Sequence, residues 1–138
     1  MSPSEKGLQA AYWALRVGLG LGAVAAGLDK FPNLLTNWSM YLSPLAERML
    51  PVSGTTFLRV AGVGEALLGV SILTRFTRLG ARLFAVWLLA IAVNLAVSGN
   101  FWDLALRDVE IALSAFALGN LAAWRATAGT PAPGEAKP

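Results

Sequence analysis

Four apolar stretches separated by short polar breaks set the pattern of this chain. They run over residues 9–28, 54–73, 79–97 and 103–124. Each is close to the roughly twenty residues that a helix needs to cross the hydrocarbon of a bilayer. The pattern therefore predicts an all-α, four-transmembrane-helix bundle. Pro32 removes a backbone donor and ends the first helix. Residues 33–50 are too interrupted to span, and Trp38, Met40, Tyr41, Leu42 and Leu45 suit a short helical segment lying at the interface. Its simplest role is a passive anchor; the other is a lid over the bundle mouth. Residues 1–125 form one membrane domain, and residues 126–138, rich in Ala, Pro, Gly and Thr, read as a disordered tail.

Helical periodicity gives these stretches faces. In the first helix Arg16, Gly20, Ala23 and Gly27 share one side, and Gly18 with Gly22 makes a GxxxG match that would favour close helix packing. In the second, Thr55, Gly62, Ala66 and Gly69 form a small-residue strip with Arg59 and Glu65 on its margins. Trp87, Ala90, Asn94 and Ser98 share a face of the third helix. Asp103, Arg107, Glu110, Ser114 and Ala117 make a stripe on the fourth, which Trp102 and Trp124 bracket at about 33 Å, the spacing of two aromatic belts. Ala23-Val24-Ala25 resembles a signal-peptidase site, but Arg16 interrupts the apolar region ahead of it and argues against cleavage.

Composition supports the membrane reading. The chain is 56% hydrophobic and only 14% charged, with a mean hydropathy of +0.58, against about 25% charged residues in a soluble domain. The net charge of +3 does not indicate nucleic acid, because the basic residues form no clustered patch. They follow a topology rule instead. Lys6, Arg75, Arg78, Arg82, Arg125 and Lys137 fall on one side and only Lys30 and Arg48 on the other, which predicts both termini in the cytoplasm.

The chain has no cysteine and no histidine. That excludes a thiol–disulfide relay, an Fe–S cluster, a Cys/His zinc site and a His-ligated haem built by this chain. Any redox role then rests on an organic ligand such as a quinone, or on a cofactor of a partner subunit.

The remaining chemistry lies in the intramembrane charges. A carboxylate inside a span costs about 2.5–3.5 kcal/mol on insertion scales, so it normally faces the bundle interior and has a partner. Arg59 and Glu65 lie about 9 Å apart along the axis on different sides of their helix, so each needs a partner on another helix. With the predicted topology Arg59, Asn94, Arg107, Asp108 and Glu110 share the outer half of the membrane, Glu65 lies near the midplane, and Asp29 and Lys30 mark a pocket mouth. Arg59 is then expected to meet Glu110 or Asp108. Two readings stay open, a buried charge network that only fixes helix register and a polar pocket for a ligand. A proton or ion path is a third, weakened by the absence of a second midplane acid. Arg16, in the inner third, is expected to snorkel to the cytoplasmic head groups.

The segments Leu15-Arg16-Val17-Gly18, Gly27-Leu28-Asp29-Lys30-Phe31, Glu65 with Gly69 ahead of Thr74-Arg75, and Leu106-Arg107-Asp108 resemble the DoxX family of small four-helix bacterial membrane proteins, over residues 11–125. The resemblance implies a plasma-membrane subunit related to the small subunit of thiosulfate:quinone oxidoreductase, with quinone as electron acceptor. Its pattern points at Arg16, Lys30, Glu65, Arg107 and Asp108. The expected function is a membrane anchor or quinone-interacting subunit of a redox system, with a partner subunit. The alternative is a catalytically silent assembly subunit, and the glycine faces also allow a homodimer. A transporter would need an inverted repeat or a broken helix, and neither is visible.

Overall fold

The computed structural model describes residues 1–130 and 134. Among these the fold is entirely helical. Helix α1 spans Pro3–Asp29, a 3₁₀ turn spans Trp38–Tyr41, and α2 spans Pro44–Met49. Helices α3 (Gly54–Leu73), α4 (Thr77–Ser98) and α5 (Trp102–Ala128) complete the order.

Local chemistry explains where the helices begin and end. Helix α1 starts at Pro3 rather than Gln9 because Ser2 and Glu5 form a reciprocal capping box and Pro3 suits the first turn. Ser53 caps α3 by accepting from the Thr56 amide. Gly99, at φ 78°, closes α4 in the left-handed conformation that glycine adopts without cost. Helix α5 continues through Ala128, so residues 126–128 of the tail expected over 126–138 are helical; residues 131–133 and 135–138 lie outside the described residues.

Helix α1 packs chiefly on α3, and α4 on α5, with α3 against α4 joining the two pairs. Glycine sets the α1–α3 approach. A Cβ on Gly27 would stand 2.5 Å from the Gly62 carbonyl, and one on Gly62 would stand 2.5 Å from the Gly27 carbonyl. The faces that meet are Gly20, Ala23 and Gly27 on α1 and Gly62, Ala66 and Gly69 on α3, whereas Gly18 and Gly22 have no neighbour within 4 Å of such a Cβ. The GxxxG pair is thus not a packing motif here; both glycines face a cavity. The Arg16 guanidinium reaches the end of α3, where it donates to the carbonyls of Ile72, Leu73 and Thr74 and so satisfies that helix's carboxyl-terminal end.

The interior is built from small residues, among them Ala23, Ala81, Ala112 and Ala115, filled out by Tyr12, Ile72, Phe84, Leu88 and Leu118. Large apolar side chains turn outward: Leu67 is 61% exposed, Val86 66% and Phe116 56%. Small residues inside and Leu, Val and Phe outside is the arrangement of helices associating in lipid, where small side chains let backbones approach closely. Helices α1, α3 and α4 are each long and apolar enough to cross a membrane. The chain is a multi-pass membrane protein. Helix α5 matches them in length but carries Asp103, Arg107, Asp108 and Glu110 in its first half.

Candidate functional site

At the end of the bundle where α1 stops, α1, α3, α4, α5 and the 33–50 segment enclose a cavity of about 690 Å³. Its wall is mostly apolar, from Leu19, Phe57, Leu58, Phe84, Leu88, Ile91 and Ile111, with Lys30, Glu65, Asn94, Arg107 and Asp108 as its polar groups.

The partner that Glu65 requires is Lys30. Lys30 Nζ donates to Glu65 Oε2 at 2.5 Å, and the two residues are 7% and 5% exposed. The ammonium also donates to the Ala26 carbonyl at 3.4 Å and lies 3.9 Å from the centroid of the Trp38 ring, a cation–π contact that covers its third side. Lys30 therefore sits inside the site rather than at its mouth. It reaches Glu65 because, as the C-cap of α1 with helical dihedrals (φ −63°, ψ −9°), it continues the Gly20, Ala23 and Gly27 face that packs on α3.

Asp29 works from behind the site. Its carboxylate accepts from the amides of Leu34 and Leu35 and from Trp38 Nε1, and so fixes the turn that carries Trp38 over Lys30. Asn33, at φ 51°, supplies the tight bend in that turn. Asn94 holds the next stretch. Its Oδ1 accepts from the Ser43 amide and its Nδ2 donates to the Tyr41 carbonyl. Tyr41 packs edge-on against Phe101, with centroids 5.0 Å apart. Of the two roles open to the 33–50 segment, passive anchor or lid, the cavity favours the lid: Leu35, Thr36, Trp38, Tyr41, Leu42 and Ala46 all line it.

Asp108 is buried at the cavity wall. Its one ion pair is with its chain neighbour Arg107, Nη2 to Oδ1 at 3.4 Å, and the Arg107 side chain is 60% exposed. Arg107 thus stands at the opening. Arg59 and Glu110 are exposed, make no ion pair among the described residues and do not line the cavity. The expected contact of Arg59 with Glu110 or Asp108 is absent, because both residues turn away from the faces by which α3 and α5 pack. Trp38, Tyr41 and Trp87 are the site residues that charge-based reasoning missed. Trp87 shares a helical face with Asn94, which was the available signal. Its indole N–H is buried without an acceptor, the only such side-chain group among the described residues.

This arrangement offers an oily chamber with acids, a lysine and aromatic rings at one end. That is the usual plan of a site for a small, mostly apolar ligand, which runs from about 300 to 1,000 Å³. Among the described residues no three potential metal ligands converge. Comparison with protein-family models, curated proteins and solved structures gave no match.

Proposed function

We propose that the chain is a DoxX-like, four-span protein of the bacterial plasma membrane, with both termini cytoplasmic, that binds a quinone as the membrane subunit of a redox system. The single observation that carries this reading is the chamber itself, which is apolar along its walls and charged at one end by the buried Lys30–Glu65 pair. A quinone has the matching form, an isoprenoid body with two carbonyl acceptors at its head. When bound it supplies two-electron, two-proton redox chemistry. Arg107 and the unpartnered indole N–H of Trp87 are the donors suited to its carbonyl oxygens. Glu65 and Asp108 are the groups suited to hold or release the coupled protons. Trp38 and Tyr41 exclude water above the head group. The chain has no cysteine or histidine of its own, so electrons come from a partner subunit.

Two measurements on purified full-length protein test this reading: assay of its extracted lipids for quinone, and titration of its tryptophan fluorescence with a short-chain quinone. Co-purified quinone and saturable quenching that weakens in Trp38→Phe are expected. No quinone together with linear, non-saturating quenching contradicts it.

The second reading, a silent assembly subunit, is favoured by one feature: the Lys30–Glu65 pair ties α1 to α3 whatever the cavity holds. It predicts that a Lys30→Met/Glu65→Met protein folds and keeps its cellular function. Folding with loss of function supports the ligand site.

A further inference from the structure

The opposite end of the bundle has a different character. Arg16 and Arg125, from α1 and α5, both lie against the same two rings, which meet edge-on. The Arg16 guanidinium carbon is 4.9 Å from the Trp13 centroid and 5.8 Å from that of Tyr12. That of Arg125 is 4.2 Å from Tyr12 and 5.7 Å from Trp13. Both side chains are half-buried, and neither has a carboxylate partner among the described residues. Arg16 spends Nε and Nη2 on α3 carbonyls and leaves Nη1 without an acceptor. Arg125 bonds Gln9 through Nη1, which leaves Nη2 and Nε. Glu5, the acid nearest Arg16 in sequence, is held in the capping box.

We propose that these two arginines clamp the phosphodiester of an anionic phospholipid. Guanidinium groups present paired donors that match phosphate oxygens, and stacking on aromatic rings fixes their planes in advance. The lipid source follows from what lies below the pair. Trp13, Val17 and Leu21 recur every four residues along α1, point outward and form an apolar track running from the guanidinium groups down the span. A head group held at the arginines would lay an acyl chain on that track. A soluble phosphate would leave it uncovered. The site is separate from the cavity and does not depend on what the cavity binds.

The test is thermal unfolding of full-length protein in neutral detergent, with phosphatidylglycerol or phosphatidylcholine of identical chains, or inorganic phosphate, added. Phosphatidylglycerol is expected to raise Tm by about 5 °C more than phosphatidylcholine. Arg125→Gln should lose at least half of that difference, while Arg48→Gln, in α2, should keep it. Native mass spectrometry of the unaltered protein provides a second readout that needs no variant, with phosphatidylglycerol retained roughly fivefold over phosphatidylcholine. Equal effects of the two lipids, an undiminished difference in Arg125→Gln, or an equal rise with inorganic phosphate alone would each overturn the proposal.

Discussion

Lys30 and Glu65 form a buried ion pair that joins the end of α1 to the middle of α3, directly above the point where Gly27 and Gly62 touch. The close backbone approach and the ion pair depend on each other. Without the glycines the helices stand too far apart for the lysine to reach, and without the lysine a carboxylate is stranded inside a span.

That dependence can be measured. Lys30→Met or Glu65→Met alone leaves one buried charge unpaired and should cost about 3–5 kcal/mol, whereas replacing both should restore most of the loss. Denaturant unfolding of the two single variants and the double variant, closed as a thermodynamic cycle, gives the coupling. Additive losses would mean that the two charges do not compensate each other.

The helix contact makes a separate prediction. Gly27→Ala and Gly62→Ala each push a methyl into backbone and should destabilise by about 1–3 kcal/mol. Gly18→Ala and Gly22→Ala should have no such cost, since their added methyls meet no neighbour within 4 Å. Comparison of the four unfolding midpoints decides which glycines bring α1 onto α3.

Much of this fold was legible in the order of apolar and polar residues. The helix positions, the need of Glu65 for a partner on another helix and the small-residue strips all follow from periodicity and the dielectric of lipid. The identity of that partner is missed because the apolar pattern ends the first helix at Leu28. Lys30 closes it with helical dihedrals (φ −63°, ψ −9°) and so continues the Gly20, Ala23 and Gly27 face that packs on α3. Arg59 and Glu110 misled for a related reason. Charges at similar depth look like partners in a sequence, but pairing needs facing surfaces, and the rotation of each helix is set by where its glycines and alanines pack. The cover, one of two roles open to the 33–50 segment, was not singled out for a third reason. Asp29 and Asn94 read as site polar groups, yet their hydrogen bonds go to the backbone of the 34–43 segment and, for Asp29, also to the Trp38 indole.

Asn94 is therefore expected to act through the cover. Asn94→Leu removes both bonds to Tyr41 and Ser43, and should cost about 1–3 kcal/mol locally by leaving backbone groups unpaired. Hydrogen exchange should speed up at the Ser43 amide while the middle of α3 stays protected. Unchanged exchange across 38–43 would show that Asn94 does not hold the cover.

Arg59→Gln and Glu110→Gln, by contrast, change exposed groups without ion-pair partners among the described residues. Each should shift stability by no more than about 0.5 kcal/mol and leave quinone quenching unchanged. A large loss of either property would return these residues to the site.

Photolabelling in native membranes with an azido-quinone, followed by peptide mapping, tests the central claim most directly. The account predicts saturable labelling of the cavity lining, concentrated on the 35–46 segment and on α4 around Trp87 and Ile91, and competed away by unmodified quinone. Labelling spread over the outward surface around Leu67, Val86 and Phe116, with no competition, would contradict it.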